Sequence, residues 1–308
     1  IRDYKVTGVQ TCALPICFIG LGNMGAPMAR NLAATGHDVT GFDLAPNQLA
    51  AIGDVITVAD DTTSAARGQN VVITMLPDGA ALQQVAGEII PKMSKGACLI
   101  DCSTVDIKSA KAVAALSDAA SINGLDAPVS GGVGGATAGT LTFMVGGSNE
   151  SFAIGAPLFA IMGQRAIHCG GAGAGQAAKI CNNMILGATM IATCEAFALA
   201  DHLGLSRQSL FDVVSTSSGS SWSMNSYCPA PGIGPQSPAD NDYKPGFSAA
   251  LMLKDLKLAH EAAVMTGTNC RAGKMAMDIY QQFADIQNSA DLDFSAVLAH
   301  LSPGIKTN

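Results

Sequence analysis

Cys17-Phe18-Ile19-Gly20-Leu21-Gly22-Asn23-Met24-Gly25-Ala26-Pro27-Met28 is the stretch that decides the fold. A buried-strand run enters G-x-G-x-x-G, and a helical pattern over 23–35 leaves it, closed by Gly36. Gly20 permits the tight turn, Gly22 lets the backbone approach a pyrophosphate, and Gly25 allows close helix–strand packing. The phosphates then sit at the helix N-terminus. Alone, the motif is equally a Gly-rich turn with no ligand. Context adds weight, because Asp43 ends the next strand pattern, 38–43, eighteen residues past Gly25. A carboxylate there accepts a ribose 2′-hydroxyl and repels a 2′-phosphate; the bland alternative is a solvated turn carboxylate. No Lys or Arg lies between Gly41 and Ala66. Gly20, Leu21, Gly22, Asn23, Met24, Gly25 and Asp43 are therefore expected to bind NAD in preference to NADP.

Outward from this stretch, strand patterns (71–76, 97–101, 122–129, 140–145) alternate with helical ones (79–90, 106–120, 150–162). That alternation predicts an α/β domain, a doubly wound, mostly parallel sheet covered on both faces. The character changes near His168. Gly170–Gly175 reads as a flexible junction, a long helix is expected over 176–203, and only helices follow to Leu301. The expected division is a Rossmann-like domain over 17–168 and an all-α domain over 169–308. Residues 228–246 hold five Pro and three Gly and read as a long loop, of a length that is often functional.

Composition narrows the class. Of 308 residues, 48% are apolar and 13% charged, which excludes disorder. The 34 glycines show no G-X-Y period, so collagen is excluded too. A net charge of −7 without a Lys/Arg stripe makes a poor nucleic-acid partner. The best apolar run, 184–194, is too short to span a membrane and Glu195 follows it. The nine cysteines are odd in number and scattered, without CxxC or a Cys/His cluster. They read as reduced, mostly buried thiols of a cytoplasmic protein, with no metal site and no disulfide framework. Val6-Thr7-Gly8-Val9-Gln10-Thr11-Cys12-Ala13-Leu14-Pro15-Ile16 resembles the conceptual translation of a sequencing-library adapter, and Pro15 stands where a strand would want a donor. Residues 1–16 are therefore expected to be foreign to the native chain.

Further residues carry chemistry. Leu76-Pro77 and Ser103-Thr104 close strand patterns, and ligands of doubly wound sheets bind outside the carboxyl ends of strands. They are candidates for the nicotinamide side, or ordinary loop caps. Ser130-Gly131-Gly132 offers a hydroxyl and consecutive N–H groups, a nest suited to a carboxylate; the alternative is a plain loop. Lys179 and Asn183 stand at i and i+4 on one helix face. Lys179 lies among Ala, Ile and Cys, where partial burial would lower its pKa toward acid/base use. A lone helix lysine is more commonly a solvated charge. Lys254-Asp255 sits in an amphipathic helix pattern, and Trp222 and Tyr227 flank the long loop. Exposed-turn and core-packing readings apply to these.

In combination the motifs resemble the β-hydroxyacid dehydrogenases, and within them the 3-hydroxyisobutyrate dehydrogenases. The resemblance runs from Phe18 to about Phe294. It rests on Phe18–Met28, Asp101-Cys102-Ser103-Thr104, Asp126-Ala127-Pro128-Val129-Ser130-Gly131-Gly132, Gly173–Asn183 and Lys254-Asp255-Leu256. Tyr227-Cys228-Pro229-Ala230-Pro231-Gly232 and Pro238–Tyr243 point to the hydroxyisobutyrate branch. The resemblance implies a Rossmann domain, a long interdomain helix and a helical domain used for homo-oligomerisation. It implies Lys179 as catalytic acid/base, with Asn183 placing the substrate and Ser130, Gly131 and Gly132 holding its carboxylate. Lys254 is implied near both nicotinamide and substrate, Asp255 among the substrate-binding residues, and Trp222 and Tyr227 as pocket walls. The expected reaction is NAD-dependent oxidation of 3-hydroxyisobutyrate to methylmalonate semialdehyde, as in valine degradation. Reduction of tartronate semialdehyde, glyoxylate or succinic semialdehyde is the nearest rival. A non-catalytic NAD sensor is a rival of another class.

Overall fold

The computed structural model describes residues 13–302. Its sheet is built from β1 (Pro15–Ile19), β2 (Asp38–Phe42), β3 (Thr57–Val58), β4 (Val71–Thr74), β5 (Cys98–Asp101) and β6 (Asn123–Asp126). These lie parallel in the order β3-β2-β1-β4-β5-β6. β7 (Val129–Ser130) and β6 both pair antiparallel with β8 (Leu141–Gly147), and β9 (Gly163–Gly170) adds parallel to β8. The order reverses between β1 and β4, the switch point at which such sheets bind nucleotides. β1, β4 and β5 read as continuous apolar runs because helices cover both faces. Ile16, Phe18, Ile73 and Ile100 are buried with Met28 and Leu32 of the helix Gly25–Ala34.

Three local expectations are revised. Residues 1–12 lie outside the described residues, but Pro15 and Ile16 belong to β1. Pro15 opens the strand, where no ladder donor is needed, and its carbonyl accepts from Asn70 N at 3.1 Å. The stretch after Ser130 forms the short helix Gly132–Ala138. Gly175 in the expected flexible junction serves close packing: a Cβ there would lie 2.3 Å from Met144 O and 2.5 Å from Asp126 O. β9 escaped the sequence reading because it is a half-exposed edge without a clean apolar alternation.

The described residues form two compact units. One comprises residues 13–103, Lys108–Gly131 and Gly135–Gly175; the other comprises Thr104–Ile107, Gly132–Gly134 and residues 176–302. The second unit is helical, with Ala174–His202, Ala249–Thr266 and Arg271–Ala284 as its long elements. An isolated bridge, Ser248 to Asp293, is its only strand-like pairing among the described residues. Its core gathers Met190, Cys194, Phe197, Met252, Leu256, Tyr280 and Phe294. The helix Ala174–His202 is long and apolar enough to cross a membrane by composition alone, yet half of its most apolar window is buried inside this protein.

Lys179, Asn183 and Gly187 recur at helical spacing on one face of Ala174–His202. Gly187 is where the helix Ala249–Thr266 comes close: a Cβ there would lie 3.0 Å from a Leu256 methyl and 3.3 Å from Met252 Sδ. Gly187→Leu is expected to lower stability by about 1–3 kcal/mol, as overpacking does. A urea unfolding midpoint equal to that of the parent would show that the helices are not held this closely.

Candidate active site

In the sheet unit, the cofactor candidates meet at the carboxyl ends of β1, β2, β4 and β5. Gly20 has φ +93° and a Cβ there would lie 2.2 Å from Met75 O. At Gly25 a Cβ would lie 1.9 Å from Gly20 O, whereas one at Gly22 would meet nothing within 4 Å. Two glycines thus permit backbone packing, and the middle one keeps the surface of the turn clear. Asp43 is half-buried, and its Oδ2 accepts from Leu21 N at 2.7 Å while Oδ1 accepts from Ala45 N at 2.8 Å. The carboxylate fixes the glycine turn and keeps lone pairs for ribose hydroxyls. The unpaired N–H groups of a first helical turn suit a pyrophosphate. Turn, acid and helix start together fit a dinucleotide, which Gly20–Gly25 and Asp43 would hold.

Leu76 N donates to Ser103 Oγ at 2.7 Å, and Ser103 Oγ donates to Asp101 Oδ1 at 2.5 Å. Thr74 Oγ1 and Ser103 N donate to the same oxygen at 2.8 and 3.1 Å. Asp101, to which the sequence reading gave no role, therefore ties together the two loops that follow β4 and β5. It is buried, and Asp101 and Asp126 are register partners in β5 and β6. Burial raises its carboxyl against the pull of the Ser103 and Thr74 hydrogen bonds, and Asp126 adds to the rise, giving about 6. Asp126 Oδ1 accepts from Gly173 N at 2.7 Å.

Ser130 ends β7 opposite Thr142. Gly131 and Gly132 follow at φ +134° and +60°, conformations that favour glycine.

The helical unit brings the proton-handling candidates together. Lys179 and Asn183 are buried, as is Asp255 on the helix Ala249–Thr266. Asn183 Nδ2 donates to Asp255 Oδ2, and Asn183 Oδ1 accepts from Asn182 Nδ2 at 2.9 Å. Asp255 Oδ1 is buried without a hydrogen-bond partner, 3.5 Å from Lys254 Nζ. Lys254 Nζ donates to Thr104 O at 2.8 Å. Gln176, one turn before Lys179, accepts from Val105 N at 3.1 Å; its side chain is an anchor that the sequence reading missed. Burial lowers the pKa of Lys179, the Asp255 charge opposes that, and the Lys254 charge reinforces it.

In the same unit Trp222 and Tyr227 form a stack, centroids 4.8 Å apart at 21°, and Tyr227 stacks in turn on Phe294 at 5.4 Å. Trp222 is exposed, so the core-packing alternative does not hold for it.

Residues 15–171 match the family described as the NAD binding domain of 6-phosphogluconate dehydrogenase. Residues 173–301 match the NAD-binding domain of NADP-dependent 3-hydroxyisobutyrate dehydrogenase. A Mycobacterium tuberculosis 3-hydroxyisobutyrate dehydrogenase, solved with L-serine, is 47% identical at a TM-score of 0.90, covering 94% of this chain and 99% of that one. In Pseudomonas aeruginosa a 3-hydroxyisobutyrate dehydrogenase is 44% identical over 92% of this chain and 96% of its own. An NAD-dependent L-serine dehydrogenase of that organism is 42% identical over 94% and 98%. Such matches define an NAD-dependent dehydrogenase of small 3-hydroxyacids. The chain belongs to the 3-hydroxyisobutyrate dehydrogenases of the β-hydroxyacid dehydrogenase family.

The Asp101 carboxyl sets a pH signature. Its folded value, about 6, lies above the ordinary 3.8. Its stabilising contribution is thus complete below pH 4 and lost as pH rises through 6. Between pH 4 and pH 7, Asp101→Asn should gain roughly 3 kcal/mol relative to the parent. Urea unfolding across that range measures it, and a constant difference would contradict it.

Proposed function

We propose that the protein oxidises 3-hydroxyisobutyrate to methylmalonate semialdehyde, with Lys179 as the general base and NAD⁺ as the preferred oxidant. The observation that carries this is a buried lysine of lowered pKa, grouped on two facing helices with Asn183 and Asp255. Bound NAD⁺ supplies the acceptor for the hydride of carbon 3. Lys179 Nζ, neutral before the step, takes the proton of the 3-hydroxyl. Asn183 orients the reacting carbon, since its amide keeps a second N–H and a second lone pair beyond the bonds it makes here. Ser130, Gly131 and Gly132 hold the substrate carboxylate, Lys254 lies by nicotinamide and substrate, and Leu76, Pro77, Ser103 and Thr104 support the nicotinamide side. General base help of this kind is worth about 10²–10⁴-fold.

L-serine is a second substrate reading, favoured by the name of the 42%-identical relative and by the molecule solved with the M. tuberculosis one. Both acids present a 3-hydroxyl to the same base. The domains proposed are nucleotide-binding over 17–168 and helical over 169–308. Free cysteines, Cys98 pushed up to about 12 by burial among them, support a reducing, cytoplasmic setting. Exposed Leu199, Leu203, Val264 and Met265 support a homo-oligomer through the helical domain.

Formation of reduced nicotinamide with 3-hydroxyisobutyrate and with L-serine tests the reading. Lys179→Ala should lower kcat by about 10²–10⁴-fold and leave NAD⁺ affinity unchanged; activity within a few-fold of the parent would remove Lys179 from the chemistry. The acid limb of kcat/KM should lie below the ordinary lysine value. It should move to lower pH in Asp255→Asn, because the carboxylate favours the ammonium form.

Asp43→Asn should shift the NAD⁺/NADP⁺ ratio of kcat/KM toward NADP⁺ by roughly tenfold or more. A unit charge pair 4 Å apart is worth about 1–4 kcal/mol between water and a protein surface. An unchanged ratio would mean that Asp43 does not face the 2′ position.

A further inference from the structure

Asp293 is completely buried and lies far in sequence from every residue assigned above. Its Oδ1 accepts from Ser295 N and Oγ at 3.0 and 2.7 Å, which caps the short turn Phe294–Ala296. Its Oδ2 serves another purpose. It accepts from Tyr227 Oη at 2.8 Å, Gly246 N at 3.0 Å and Phe247 N at 3.1 Å. One oxygen thus collects the aromatic wall and the far end of the long loop. Asp293 N donates to Tyr243 O and Phe294 N to Phe247 O, each at 2.9 Å, so the backbone cannot slide relative to the carboxylate. Gly246 is tight against the same point: a Cβ there would lie 2.8 Å from the Tyr227 hydroxyl. A Cβ on Gly132, in the proposed carboxylate nest, would lie 3.6 Å from Gly246 O. Tyr227 itself is clamped between Trp222 and Phe294.

The direction of the Tyr227 hydroxyl follows from the donor rules. A buried carboxylate has no proton to give, so Tyr227 must donate to Asp293. Its single proton is committed, and toward any other partner the phenolic oxygen acts only as an acceptor. Asp293 raises the tyrosine pKa further, by its charge and by that hydrogen bond, above the main effect of burial.

We propose that Asp293 is a positioning residue for substrate selectivity: it fixes Tyr227 as an acceptor-only wall that favours a hydrogen-bond donor, such as an ammonium group, on carbon 2 of the 3-hydroxyacid. This rests on the reading of Tyr227 as a wall of the substrate site. L-serine carries such a donor and 3-hydroxyisobutyrate carries a methyl group there, so the two acids report on the same oxygen.

The experiment compares kcat/KM for both acids in the parent, Tyr227→Phe, Asp293→Ala and Ser295→Ala. Tyr227→Phe keeps the ring stack and removes only the hydroxyl. It should shift the ratio toward 3-hydroxyisobutyrate by about tenfold or more, through KM for L-serine, because hydrogen bonds to charged groups are the strong ones. NAD⁺ affinity should stay the same. Asp293→Ala should move the ratio in the same direction; if it does not fold, Tyr227→Phe decides alone. Ser295→Ala removes a bond on the other oxygen and should lower the unfolding midpoint without moving the ratio. An active parent with an unchanged ratio in Tyr227→Phe overturns this assignment and leaves the functional reading standing. A parent inert toward both acids overturns the functional reading and this assignment together.

Discussion

The burial of Lys179 is the constraint on which the rest of the helical unit depends. An ammonium group taken out of water is costly unless it is paired or gives up its proton. Here the surroundings act in opposite directions: apolar packing and Lys254 favour the neutral amine, while Asp255 favours the ion. The net effect is a lysine pKa below the ordinary value, which suits the base proposed for it. That balance in turn requires Asp255 to stay buried and close. Its hydrogen bond from Asn183 and the narrow approach of two helices at Gly187 keep it there. The surroundings of the lysine thus trace in part to a missing side chain two turns away, at Gly187.

Carboxylates organise the loops throughout this acidic chain. Asp43 holds the N–H of the glycine turn, Asp101 that of Ser103, Asp126 that of Gly173, and Asp293 those of Gly246, Phe247 and Ser295. Loops around an α/β site carry backbone donors that no ladder satisfies. An Asp at a strand end or turn accepts them without the length or flexibility of a Glu side chain. The −7 charge therefore says less about partners than composition alone implies, because part of it is spent inside the protein on loop geometry.

The glycine turn, the strand–helix alternation and the pair Lys179/Asn183 were legible because local rules govern them: close backbone approach, period, and i,i+4 spacing. Asp101, Gln176 and Asp293 were not. Each works through partners brought near only by the fold, Thr74 for the first, Val105 for the second, Tyr227 and Gly246 for the third. Asp101 stood inside a quoted motif, yet nothing local distinguishes a strand-end Asp that faces water from one that binds two loops. β9 was missed for the converse reason, since a half-exposed edge strand leaves no apolar period to read. Pro15 was misjudged because position within a strand matters more than membership of it, and the first residue needs no donor.

Family membership and substrate choice therefore rest on different layers of the molecule. The proposed chemistry at carbon 3 needs a base of the right pKa and a bound dinucleotide, and relatives of similar identity to this chain are named for different substrates. Choice at carbon 2 depends on what the surrounding wall offers, a donor, an acceptor or nothing. In the proposed wall the polarity is set from behind, by a carboxylate that accepts the tyrosine's hydrogen bond. A change at such a supporting residue redirects the hydroxyl while leaving the lysine and the glycine turn untouched. On the proposed reading, substrate selectivity can then change without any change to the lysine or the glycine turn, so neither of those features by itself tells L-serine from 3-hydroxyisobutyrate.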